Sequence, residues 1–140
     1  MDYTSKTKLT VRYSETDRMG IVHHSRYYPW FECGRTDFTK QAGITYSDME
    51  AQGVLMPLIE SSAKYIEGAR YEDEITIETT LQSMGAVRCS FSYRVVRDND
   101  NKLLATGSSS HAFVNSKFKP INLKKKRPEL YDAFCRLVTE

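Results

Sequence analysis

Polar and apolar residues alternate along the first regular stretch of the chain, where Leu9, Val11 and Tyr13 interleave with Lys8, Thr10 and Arg12. A period of two puts one set on each face of a strand. This predicts a half-buried strand with Tyr13 as its last inward residue. Residues Glu15 to Arg26 follow neither the strand nor the helix period, and Gly20 within them reads as a tight turn with positive φ. From Tyr27 the period lengthens: Tyr27, Trp30, Phe31, Gly34, Phe38 and Ala42 form one apolar stripe of a helix. Pro29 suits its first turn and Gly43 its C-terminal cap. Gly34 sits inside the stripe, where it costs about 1 kcal/mol of helix propensity. That cost is explained if another backbone packs closely there. Ser47-Asp48-Met49-Glu50 reads as a capping box on a short helix ending at Gly53.

Four strand candidates follow. The first runs from about Leu55 to Glu67, with Pro57 near its start, which suits an edge or a strand beginning. The second sets Ile75, Ile77, Thr79 and Leu81 against Glu74, Thr76, Glu78 and Thr80. The third sets Val87, Cys89, Phe91, Tyr93 and Val95 against Arg88, Ser90, Ser92 and Arg94. The fourth runs from about Leu103 to Asn115. Met84-Gly85 and Asp98-Asn99-Asp100-Asn101 are turn signals that make the last strands antiparallel hairpins. Pro128 opens a C-terminal helix, about 128–138, with Leu130, Phe134, Leu137 and Val138 on one side. One striped helix needs a sheet to cover it. The economical fold is α+β: a curved antiparallel sheet wrapped around one long central helix, the hot-dog architecture. One helix cannot cover such a sheet alone, so either the far face is polar or a second subunit covers it or extends an edge.

Composition narrows the function classes. The 140 residues suit one domain, 1–140 with a core of about 7–120. Twenty Lys and Arg against 18 Asp and Glu leave a formal charge of +2, too weak to argue for nucleic acid. No apolar run reaches the ~18 residues of a membrane span, and the N-terminus lacks the apolar core of a signal peptide. Cys33, Cys89 and Cys135 make no Cys-x-x-Cys pair and read as reduced thiols of a cytoplasmic protein. No metal site and no cofactor are expected: adjacent His23 and His24 are poorly placed to chelate one ion, and no Cys or carboxylate set completes a zinc shell.

The chemistry concentrates between Val11 and Tyr27. Asp17, His23 and His24 stand just before a helix N-terminus, where backbone N–H groups lack helical partners and carry partial positive charge. A carbonyl docked on such amides is polarised as negative charge develops, and a carboxylate beside it makes an acyl-transfer site. On residue chemistry alone the plainer readings are favoured: Asp17 as a turn or cap residue, His24 as a loop imidazole, Gly20 as a turn.

The combination changes those priors. Arg12-Tyr13, Thr16-Asp17, Gly20-Ile21-Val22, His24, Tyr27 and Phe31-Glu32 with Arg35, then Met56-Pro57, Tyr71-Glu72-Asp73 and His111-Ala112-Phe113-Val114, resemble the acyl-CoA thioesterases of the 4-hydroxybenzoyl-CoA thioesterase-like hot-dog superfamily, closest to the group associated with the Tol–Pal cluster. The resemblance implies an acyl-CoA thioesterase with Asp17 as nucleophile or general base, Tyr13 and His24 as its partners, and the amide at His24 polarising the thioester carbonyl. Gly20, Val22 and Tyr27 shape the turn and the oxyanion site. Glu32 is a secondary candidate, with a structural ion pair to Arg35 as its alternative. Coenzyme A carries phosphates, which call for cations; Lys64 and Arg88 are the candidates on strands, and the run Lys124 to Arg127 reads as solvated chain. The family binds its substrate between subunits, so a homodimer or homotetramer is implied. Two other readings stand beside it: a hot-dog hydratase or dehydratase of acyl thioesters, and an acyl-CoA-binding protein without turnover.

Overall fold

The computed structural model describes residues 3–138; residues 1, 2, 139 and 140 of the expected span lie outside them. Five strands, β1 (Thr4–Thr10), β2 (Leu58–Tyr65), β3 (Glu74–Met84), β4 (Arg88–Arg97) and β5 (Lys102–Ala112), form one antiparallel sheet. Its order is β1-β3-β4-β5-β2. The long helix α1 (Tyr27–Gln41) lies against the sheet, followed by the short α2 (Tyr46–Ala51). The chain ends in α3 (Leu123–Lys126) and α4 (Pro128–Cys135). This is the hot-dog arrangement expected from the hydrophobic pattern. Among the described residues no helix is long and apolar enough to cross a membrane.

The inner face of the sheet follows the period of two. Ile75, Ile77, Thr79 and Leu81 on β3 and Cys89, Phe91, Tyr93 and Val95 on β4 are buried against α1. Two glycines set how closely helix and sheet approach. A Cβ at Gly34 would meet Thr79 Oγ1 and lie 2.9 Å from Ile77 Cγ2; a Cβ at Gly107 would strike the Phe31 ring. The close approach at Gly34 is made by the side chains of Thr79 and Ile77 rather than by the backbone expected there, and Phe31 lies flat on Tyr93 with ring centroids 4.5 Å apart. The outer face is polar: Thr80 with Ser92, Ser83 with Ser90, and Ser62 with Ser108 share hydroxyl hydrogen bonds of 2.6–2.8 Å.

Four boundaries differ from the sequence reading. β1 ends at Thr10, and Tyr13 belongs to a 3₁₀ turn (Tyr13–Glu15) that points it outward; it is 75% exposed. The turn forms because the Glu15 carboxylate accepts from the Arg12 amide at 2.8 Å, ending the strand. The cap of α2 is Thr45, whose hydroxyl accepts from the Asp48 amide at 3.0 Å, so Ser47 lies inside the helix. The basic run is partly helical, as α3, with Asn122 as its cap. α4 stops at Cys135, and Val138 leaves it to bridge Leu81.

The two edges of the sheet are unlike. β1 carries Lys6 and Lys8 on its exposed face, a common protection against edge pairing. β2 exposes Leu58, Ile59 and Tyr65, each about half accessible, and Ile66 follows.

Candidate active site

The stretch that fits neither period folds into a tight turn seated on the N-terminus of α1. Thr16 and Val22 bridge antiparallel, and the Asp17 amide donates to the Ile21 carbonyl at 2.8 Å. Gly20 closes the turn at φ +83°, a conformation glycine adopts at no steric cost, and its amide donates to the Asp17 carbonyl. The Asp17 carboxylate accepts from the Met19 amide at 2.8 Å through one oxygen; the other has no partner among the described residues.

Glu15 anchors the turn from beneath. It is 5% exposed and accepts from the indole of Trp30 at 2.9 Å as well as from the Arg12 amide. The sequence reading did not single it out. Its signal was present: an acid three residues after Arg12, at the start of the irregular stretch, and fifteen before the helix tryptophan.

The amides entering α1 are accounted for one by one. Val22 donates to the Ala69 carbonyl, His23 to the Glu15 carbonyl, Arg26 to the His23 carbonyl and Tyr27 to the His24 carbonyl. Ser25 donates to the His23 imidazole at 3.2 Å. Only the His24 amide in this run has no acceptor among the described residues. The expected carbonyl-polarising position is thus the open one. Val22 and Tyr27 shape the turn and cavity floor without offering a free amide. Tyr27 is buried, accepts from the Ala69 amide through its hydroxyl at 3.4 Å, and has its phenol pKa raised by burial.

Asp17 sits where two cavities meet. One, of about 190 Å³, is lined by Asp17, Met19, Val22, His24, Tyr27 and Tyr65. The other, of about 650 Å³, is lined by Tyr13, Asp17, Arg18, Gly20 and Tyr71. Tyr13 meets Tyr71 edge to face at 5.6 Å. The structure therefore brings Asp17 and His24 to one cavity, and Asp17 and Tyr13 to the other. Tyr65 ties the end of β2 to this site by donating to the His24 carbonyl at 3.2 Å.

Three candidates lie elsewhere. Glu32 faces a different cavity, with Lys8, Cys33 and Asp37. It forms no ion pair with Arg35, whose guanidinium turns inward to Tyr46 and Tyr93. Lys64 and Arg88 are both on the outer face of the sheet. Along β5 they sit beside Thr106 and Ala112, six residues apart, roughly 20 Å at strand rise. They cannot hold one phosphate together from one protomer. Arg18, which lines the larger cavity, is the cation the sequence reading missed.

Residues 11–136 match the family model of the thioesterase-like superfamily. The chain belongs to that superfamily. It is 35% identical over 133 residues to the putative acyl-CoA thioesterase YneP of Bacillus subtilis, covering 94% of this chain and 96% of that one. It is 29% identical over 94 residues to the acyl-CoA thioester hydrolase YbgC of Escherichia coli, covering 67% and 69%. Among solved structures, the DHNA-CoA thioesterase of Staphylococcus aureus superposes with a TM-score of 0.89 at 30% identity, over 95% of this chain and 89% of that one. The chain is accordingly a thioester hydrolase by family.

Proposed function

We propose that the protein hydrolyses acyl-CoA thioesters to the free acid and coenzyme A, with Asp17 as the catalytic carboxylate. The observation that carries the reading is the pairing of an open carboxylate oxygen on Asp17 with an open amide on His24 at one cavity. The thioester carbonyl oxygen accepts from the His24 N–H as negative charge develops on it. Asp17 attacks the carbonyl carbon to give a mixed anhydride that water then cleaves, freeing the acid and the carboxylate, or it removes a proton from the water that attacks directly. The C–S bond breaks, and the sulfur leaves as thiolate and takes up a proton. A thioester has a good leaving group, so a carboxylate suffices without a Ser-His-Asp triad. The relatives named for acyl-CoA hydrolysis support the substrate class.

The functional unit in this reading is a homodimer joined along β2. That edge exposes Leu58, Ile59 and Tyr65, with one lysine, Lys64, against the two that guard β1. A two-fold axis pairs β2 with itself antiparallel. The Tyr65 end of one strand, beside His24, then lies opposite the Leu58 end of the other.

The test is free-thiol release from a panel of acyl-CoAs, run beside sedimentation velocity. Thiol release by a dimer is the expected result. Loss of enoyl absorbance without thiol release would mark a hydratase, and tight binding without turnover a carrier; either overturns the proposal.

A further inference from the structure

A third cavity, about 280 Å³, opens at the far end of β2 from Asp17 and plays no part in the chemistry above. Its wall is Arg35, Tyr46, Met49, Val54 and Met56, with exposed Glu50 at the mouth. The size is near the lower end for small-molecule sites; Met49, Val54, Leu55 and Met56 make the apolar wall, Ser47 and Glu50 are exposed, and Arg35 and Tyr46 form the inner polar end. That end is built of oriented hydrogen bonds. The Met56 carbonyl can only accept, so His111 donates to it through Nδ1 at 3.2 Å. His111 is 1% exposed, and burial lowers its pKa to about 4, which leaves Nε2 bare to accept from Ser109 at 2.9 Å. With its single proton engaged, Ser109 must accept from Tyr93, and Tyr93 in turn accepts from Arg35 Nη1 at 3.1 Å.

Tyr46 accepts from Arg35 Nε at 3.1 Å. Its own proton has no acceptor among the described residues, and burial raises its pKa to about 12, so that proton stays. A guanidinium has five N–H donors, and Arg35 engages two. Arg35 makes no ion pair with a carboxylate among the described residues. The inner end of the cavity thus offers side-chain donors without a matching acceptor. An alkyl group placed there would leave buried donors unsatisfied, at a cost in affinity. An oxygen acceptor would satisfy them.

We infer that this cavity is the acyl-group subsite and that Arg35 and Tyr46 select acyl groups bearing an acceptor oxygen beyond the thioester. The placement rests on the β2–β2 dimer proposed above, which sets the Met56 end of one protomer beside the Asp17 turn of the other. The acceptor is a ring hydroxyl or a terminal carboxylate, and the shared chemistry is an oxygen at the end of a short apolar group.

The test compares kcat/KM for hydroxybenzoyl-CoA against benzoyl-CoA, and for succinyl-CoA against butyryl-CoA, with sedimentation velocity on the same samples. The oxygenated member of at least one pair is expected to be favoured by about tenfold or more; the pair showing it identifies the source of the oxygen. Tyr46→Phe removes one donor with little change of shape, and should lower that ratio about fivefold. Arg35→Gln should lower it further, and if that variant fails to fold, Tyr46→Phe still decides. A ratio near one in a dimeric, active enzyme overturns the subsite. So does a Tyr46→Phe variant that slows both members of a pair equally, since a merely structural role predicts that. An active monomer that keeps the ratio overturns the two-fold placement instead.

Discussion

The two halves of α1 meet polar atoms on opposite terms. Along its middle, the seam with β1 and β3 buries the hydroxyls of Ser5, Thr7 and Thr79, and none of the three has a hydrogen-bond partner among the described residues. At its N-terminus, one Asp17 oxygen and the His24 amide are also without partners among the described residues. At Thr79 the seam is closed: Gly34 lies so near it that not even a methyl group fits between them. The turn opens onto cavities of about 190 and 650 Å³. An unsatisfied polar atom therefore points to chemistry only where there is room for a ligand. In the closed seam it is a cost of packing, and a small one if a threonine simply fits the space.

Substitutions can push each region toward the other. The largest effect is expected from Gly34→Val, which forces a branched side chain into the seam; it should cost about 3 kcal/mol or more, read as the urea midpoint. Wild-type stability in that variant would mean that helix and sheet are not held at this distance. Glu15→Ala strips the anchor from under the turn and leaves the Trp30 indole and Arg12 amide unpaired, at about 1–3 kcal/mol. Thiol release should fall with it, because the Asp17 turn loses its seat. If activity persists at full level, the turn is positioned by something else.

A pH titration probes the buried network behind the third cavity. His111 has a folded-state pKa of about 4, below its ordinary value of 6.5. The unfolded chain therefore binds a proton that the folded chain refuses. Stability from this group is intact above about pH 6.5 and is lost as pH falls from there toward 4. His111→Gln should flatten that part of the Tm profile; an unchanged slope would show that other groups cause it. The smallest effect, of opposite sign, is expected at Thr79→Val. Removing an unpaired buried hydroxyl with little change of shape should be neutral or stabilising by up to about 1 kcal/mol. A clear loss of stability would show that Thr79 has a partner after all.

The sheet and α1 were legible because burial repeats with a fixed period. Ile75, Ile77, Thr79 and Leu81 face inward as alternation requires, and even the cost of Gly34 pointed to its neighbour. Tyr13 was misplaced because alternation carries no signal for where a strand stops; a single Glu15 hydrogen bond ends it. The Asp17 turn had no period to read, and its meaning came from the combination of residues resembling a family. The Arg35 network was invisible for a different reason. Its members stand at positions 35, 46, 93, 109 and 111, and only the fold brings them together. The ion pair that spacing suggested, Glu32 with Arg35, does not form because the helix turns Arg35 inward to two phenols while Glu32 stays in solvent.

The central claim is that the open carboxylate at the open amide does the chemistry. It is tested most directly by Asp17→Asn, assayed for thiol release with the best acyl-CoA of the panel. The substitution keeps shape and the acceptor for the Met19 amide but removes the charge. The account predicts a loss in kcat/KM of about 100-fold or more with an unchanged Tm and sedimentation coefficient. An Asp17→Asn enzyme that releases thiol at the wild-type rate would contradict it.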